Sequence, residues 1–307
     1  MLQPPQPKPQ STRLAVLIPF GVVTLIWGST WLVIRDQLGV VPPSWSVSYR
    51  FLVAGLCMAG YAIWKRDSWR LGTRGFAFAS VLGLAQFCLN FNFVYRAEQH
   101  ITSGLVSVVF ALLLVPNALF GRIFLGQKLG RQLVVGSAIA MAGVVLLFVH
   151  EARHDPNGPG QVLIGIGLTL CAILSASTAN VMQATPTAAR YPMGTMLAVA
   201  MLAGAALDAV FALATVGAPV IEYRAAYWGG ILYLGIFASA LAFPLYFGVL
   251  RTIGPAKAAY SSVIVPVIAM LLSTAFEGYR WSGLAVAGAA LAAVGLVIAL
   301  RARRPNR

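Results

Sequence analysis

The stretch LAVLIPFGVVTLIWGSTWLVI (Leu14–Ile34) runs for 21 residues without a charged side chain. A helix needs about 20 mostly apolar residues to cross roughly 30 Å of hydrocarbon. This stretch has that length. It also exceeds the roughly 7–15-residue apolar core of a cleaved signal peptide. It therefore reads as a first, uncleaved span behind a polar, proline-rich tail that ends at Arg13.

Outward from it the same pattern returns along the whole chain. The apolar runs predict further spans near Ser44–Trp64, Phe76–Tyr95, Thr102–Leu125, Leu133–Val149, Val162–Gln183, Met193–Val216, Tyr227–Leu250, Pro255–Phe276 and Trp281–Leu300. None alternates polar with apolar, as the strand of a membrane barrel would. The fold class expected is an all-α membrane protein with ten transmembrane helices. The composition agrees: 59% of the residues are hydrophobic and 10% are charged, against about 25% charged in soluble domains. So few charges cannot cover a water-facing surface, and the lipid bilayer is the expected surrounding. Cys57, Cys88 and Cys171 all fall inside apolar runs and read as small packing residues, not as a disulfide framework or metal site.

The formal charge is +14. In a soluble chain this would point to nucleic acid. Here the basic residues sit in short loops, where they orient helices, so no nucleic-acid partner is expected. With a cytoplasmic N-terminus, the inner side holds fifteen of them, among them Lys65, Arg66, Arg70, Arg74, Lys128, Arg131 and Arg190. The outer side holds five: Arg35, Arg96, Arg153, Arg224 and Arg280. Both termini, residues 1–13 and the basic tail 301–307, are therefore expected in the cytoplasm, with the protein in a bacterial inner membrane. The segment HEARHDPNGPGQ (His150–Gln161) is the most polar internal stretch. It reads as a solvated linker over 151–161, and no ligand cluster accompanies His150 and His154 to make it a metal site.

That linker divides the chain into halves, 14–150 and 162–300. At an offset of 150 residues Gly104 falls on Gly254, Val115–Pro116 on Val265–Pro266, and Gln127 on Glu277; Phe87 and Phe93 fall on Phe237 and Phe243. Coincidences at one offset in corresponding spans are the mark of duplication. Five spans per half is odd, so the second half enters the membrane from the opposite side. Such inverted repeats recur in secondary transporters.

The segments IWGSTWLVIR (Ile26–Arg35), RFLVAG from Arg50, YRAEQHITSGLVSVVFALLLVP (Tyr95–Pro116) and GPAKAAYSSVIVP (Gly254–Pro266), followed by Glu277, resemble the EamA family of the drug/metabolite transporter superfamily. The resemblance covers about Leu14 to Leu300. It implies ten helices, cytoplasmic termini, and export or exchange of small polar metabolites, often amino acids or their derivatives. It also implies a central cavity lined by spans 1–4 and 6–9, with spans 5 and 10 outside. One departure stands out: where the family has Glu after span four, this chain reads LGQK with Gln127, and only the second half keeps the acid, as Glu277.

Polar side chains inside lipid-spanning helices face a cavity or a neighbouring helix, because leaving them unsatisfied is costly. Gln86 and Asn90 share a face in span three, Ser177 and Asn180 in span six, Lys257 and Ser261 in span nine beside Tyr260, and Trp27 and Thr30 in span one. The substrate-binding candidates are Trp27, Gln86, Asn90, Asn180, Lys257, Tyr260 and Ser261. The alternative for the hydroxyls is hydrogen bonding between helices. Pro116 and Pro266 each remove a backbone hydrogen bond inside a span and are candidate hinges, with a static kink as the alternative. Arg50, Asp208 and Glu277 are candidate coupling or structural charges. Arg50 lies about 9 Å and Asp208 about 12 Å from the ends of their spans at 1.5 Å per residue. Such depths favour a charge pair between them or a watery cavity, the alternatives being an Asp208 hydrated near the edge of its span or bonded to a backbone group.

The leading expectation is a secondary transporter working by alternating access, with a small-molecule substrate and no cofactor. A polytopic membrane enzyme is the runner-up, but the spans carry no HExxH, P-loop or nucleophile–histidine constellation. A membrane sensor is third, and the chain shows no soluble output domain. Monomer and homodimer are both compatible with the sequence.

Overall fold

The computed structural model describes residues 10–126, 130–154, 159–253 and 261–300, and every regular element among them is helical. Lipid offers the backbone no hydrogen-bond partners, so each segment must satisfy its own, which a helix does. Eight described helices are long and apolar enough to cross a membrane. They are α1 (Gln10–Asp36), α2 (Pro43–Trp64), α3 (Gly72–Ala97), α4 (Ser103–Leu125), α5 (Arg131–His154), α6 (Pro159–Gln183), α7 (Met193–Thr215) and α8 (Ala225–Val249). Two shorter apolar helices follow, α9 (Ser261–Phe276) and α10 (Gly283–Leu300). Local signals set several ends. Pro43 opens α2 at a position where a missing N–H costs nothing, and Gly126, at φ +66, closes α4 in the left-handed conformation.

Two boundaries differ from the sequence reading. Helix α1 starts at Gln10, inside the stretch read as a tail. Helix α5 continues through His154 and α6 starts at Pro159, so most of the stretch read as a 151–161 linker is helical. Hydropathy marks where lipid ends, whereas a helix continues while its backbone bonds do. His150 is buried, with Ser282 Oγ 2.8 Å from its Nδ1.

Three groupings organise the bundle. Helix α2 packs along α7, α1 and α4 pack on α9, and α3 sits between α6 and α7. Helices α5 and α10 pack chiefly on each other. Their seam is made of Gly136, Gly143, Gly288 and Gly295. A Cβ on Gly136 would overlap the Ala299 backbone, and one on Gly143 the Ala292 backbone, so the two helices touch main chain to main chain. Leu56, Ile63, Ile123, Val210 and Leu213 point outward and stay exposed, as side chains facing lipid do.

Candidate functional site

Helices α3 and α8 are each interrupted by a π segment, Leu84–Leu89 in α3 and Tyr233–Leu241 in α8. Shifted by the 150-residue offset, the first falls on residues 234–239, within the second. A π turn inserts an extra residue into the helix and recurs at functional sites. Helix α4 has a break of its own: a 3₁₀ turn at Ala111–Leu113 directly precedes the turn that holds Pro116. Pro116 cannot bond to the Leu112 carbonyl, and the chain tightens there. In the second half, Pro266 lies inside α9.

These interruptions surround a cavity of about 110 Å³. Its wall takes Trp27, Thr30 and Trp31 from α1, Arg50 from α2, Gln86, Asn90 and Phe91 from α3, Ser107 and Phe110 from α4, Asn180 from α6, Phe243 and Tyr246 from α8, and Pro266 from α9. Trp27 Nε1 donates to the Ala238 carbonyl at 3.1 Å, and Arg50 Nε donates to Ser239 Oγ at 3.1 Å. Both acceptors belong to the π segment of α8. Trp27 also meets Tyr246 and Phe243, with ring centroids 4.9 and 5.4 Å away. Asn90 Nδ2 donates to the Gln86 carbonyl, and Asn180 Nδ2 reaches Asn117 Oδ1 at 3.4 Å. Gln86 Oε1, Asn90 Oδ1, Ser107 Oγ and Arg50 Nη1 are buried without a protein partner. Buried polar atoms are seldom left so, and here four of them belong to residues lining one cavity.

The structure thus brings Trp27, Gln86, Asn90, Asn180, Arg50 and Pro266 to one cavity. Pro116 is not among its lining residues. Lys257 and Tyr260 lie outside the described residues, as do Gln127 and the side chain of Ser261. Span seven was expected to line the cavity and contributes no lining residue.

Asp208, on that span, faces elsewhere, and the expected Arg50–Asp208 pair does not form. Asp208 Oδ1 accepts from Asn92 Nδ2. Asn92 Oδ1 in turn accepts from Arg96 Nη1 at 2.9 Å and from Ser44 Oγ at 2.8 Å. Depth along two helices says nothing about the direction in which each side chain leaves its axis, and here the directions diverge. Asn92, Ser44 and Arg96 were not singled out in the sequence. The signal available was a third amide in the run NFNF (Asn90–Phe93), two residues beyond Asn90 and so on another face of α3.

A third polar group closes one end of the bundle. Glu277 accepts from Ser103 Oγ at 2.6 Å, and its Oε1 lies 3.7 Å from Arg35 Nε. Arg35 also donates to the Glu98 backbone carbonyl. Ends of α1 and α4 and the segment after α9 are tied together there, and Glu277 serves that tie instead of lining the cavity. Glu98, just beyond α3, is fully buried, and neither of its carboxyl oxygens has a hydrogen-bond partner. Burial pushes its carboxyl well above the usual range and Glu277 adds to that, while Arg35 and Arg50 oppose it.

A group whose folded-state carboxyl is raised holds its proton in the native state at a pH where the unfolded chain has lost it. Stability then falls as pH rises above the ordinary carboxylate value. The thermal midpoint of the detergent-purified protein is expected to drop as pH rises above the ordinary carboxylate value, with a shallower slope in Glu98→Gln. Equal slopes in the two proteins would refute this.

The model of the EamA-like transporter family matches residues 16–149 and 163–301. The chain is 29% identical over 275 residues to the uncharacterized inner membrane transporter YedA of Escherichia coli K12, covering 87% of this chain and 85% of that protein. It is 27% identical over 277 residues to the protein PagO of Salmonella typhimurium LT2, covering 88% of each. A solved crystal structure matches with a TM-score of 0.67 over 97% of this chain and 100% of its own, at 22% identity, which shows likeness of fold alone. With family matches spanning nearly its whole length and an apolar helical bundle around a mostly apolar cavity that carries a few polar groups, the chain belongs to the EamA-like transporter family of membrane proteins.

Proposed function

We propose that this membrane transporter exports or exchanges small polar metabolites, such as amino acids or their derivatives, by alternating access. The observation that carries the reading is the cavity itself. Helices of the first half (α1–α4) and of the second (α6, α8, α9) share its wall, so a movement of one half against the other would open it to either side. The π segments in α3 and α8 and the prolines at 116 and 266 support two inverted five-helix halves, 14–150 and 162–300, with the prolines as hinges. In this reading both termini are cytoplasmic, as the loop charges favour.

The test is net solute flux into liposomes containing the purified protein. Asn90→Leu removes a donor and an acceptor from the cavity wall without changing the bulk of the side chain much. It is expected to cut flux at least tenfold while insertion and thermal midpoint stay near normal. Unchanged flux would make Asn90 a packing residue, and no flux of any metabolite from a folded wild-type protein would end the transporter proposal.

A further inference from the structure

Arg50 is the most deeply buried charge on the cavity wall, 1% exposed, and its Nη1 finds no hydrogen-bond partner in the protein. Its Nε is held by Ser239 Oγ, and Ser239 is itself anchored to the Leu234 carbonyl at 2.8 Å. The guanidinium lies over the Phe91 ring, 4.2 Å from its centroid, and 5.1 Å from that of Phe51. The Nε is therefore taken, Tyr95 stands as a further hydrogen-bond neighbour, and aromatic rings pack on the guanidinium, which leaves Nη1 to seek a partner.

None of the ion pairs among the described residues includes Arg50; they join Arg35 to Glu277 and Arg224 to Asp36 and Glu222. Glu98 reaches it only through space, and burial pushes that carboxyl towards its neutral form. A buried arginine that meets no acid of its own chain is expensive to hold. It persists where an anion arrives from outside.

We propose that Arg50 is the receptor for a carboxylate on the transported solute, and that Trp27, Phe243 and Tyr246 pack on the apolar body behind that carboxylate. The proposal rests on the transporter reading above. A guanidinium with a free Nη1 donor matches a carboxylate oxygen by a charge-assisted hydrogen bond. A phosphate dianion would call for more than one cation, and Arg50 is the only cation lining the cavity among the described residues. The unpartnered Gln86 Oε1 and Asn90 Oδ1 are neutral acceptors, so the guanidinium is the charged donor on the wall.

The experiment titrates the thermal midpoint of the purified full-length protein with a panel of monocarboxylic acids, aliphatic, aromatic and α-amino. Each is run beside its carboxamide, and inorganic phosphate is run separately. At least one acid is expected to stabilise saturably, with its carboxamide about tenfold weaker or worse, the loss that goes with one charge-assisted hydrogen bond. Arg50→Gln is expected to erase the preference for acid over amide, and Arg50→Lys to keep part of it. The acid–amide comparison needs only the unaltered chain, so it decides even if Arg50→Gln fails to fold. Amides that match every acid, no stabilisation by any acid, or stabilisation by phosphate alone would overturn the proposal. Liposome flux separates the two readings. Transport confined to solutes without a carboxylate sinks the receptor and leaves the transporter, whereas acid-selective binding without flux does the reverse.

Discussion

Gly83→Leu is expected to abolish folded protein, while Gly60→Leu, on the exposed side of α2, leaves it intact. A Cβ on Gly83 would run into the Ala200 carbonyl oxygen of α7, with the Gly204 nitrogen 3.2 Å away. The partner is backbone, so no rotamer change can make room. Gly60 has nothing within 4 Å of the same position. Overpacking a tight contact costs about 3 kcal/mol or more where the backbone must move. The clash also sits directly before the π segment that carries Gln86, so any surviving protein should have lost its cavity geometry. Fluorescence-detected size exclusion in detergent reads both variants. A monodisperse Gly83→Leu peak with the wild-type thermal midpoint would show that α3 and α7 do not approach as described.

The second large effect is expected at Asn92. Its amide is a junction: Nδ2 donates to Asp208 and to the Cys88 carbonyl, and Oδ1 accepts from Ser44 and Arg96. Replacement by Leu strips the buried Asp208 of its amide donor and Arg96 of its amide acceptor in one step, leaving Arg96 only Ser44 Oγ at 3.1 Å. Removing one member of a buried charged network costs about 3–5 kcal/mol. Asn92→Leu should therefore lower the thermal midpoint far more than Asn90→Leu, although the two residues are near neighbours. A double-mutant cycle sharpens the test. Asp208→Asn should couple to Arg96→Gln and should not couple to Arg50→Gln. Coupling of Asp208 to Arg50 alone would restore the pairing that the structure rejects.

Much of this architecture was legible in the apolar runs, because the length of a lipid-crossing helix is set by bilayer thickness alone. The ends were less so, since Gln10–Arg13 and Glu151–His154 are polar and yet helical. Inside the bundle, spacing of four residues put Gln86 and Asn90 on one wall, and of the two prolines Pro116 sits beside a break while α9 runs unbroken through Pro266. Azimuth was not legible. Asn92 follows Asn90 by two residues, about 200° around a regular helix, and joins a different network. The offset of 150 matched Phe87 with Phe237, but Phe87 is fully buried while Phe237 is half exposed. The two π segments are six and nine residues long, so equal positions in sequence drift out of equal orientation.

The π segments also change how the chain answers to length. In a regular helix each residue turns the chain by about 100°, and a π segment is where that rhythm absorbs an extra step. Deleting a single residue between Leu84 and Leu89 would remove that extra step, so α3 would close into an unbroken α-helix with the residues after it in their present orientation. Asn90 would keep its place on the cavity wall and Asn92 its place beside Asp208, whereas the same deletion in α7, which has no π segment, would turn every later side chain by about 100°. Helices α3 and α8 should therefore tolerate the loss of one residue within that turn better than an uninterrupted helix such as α7 does.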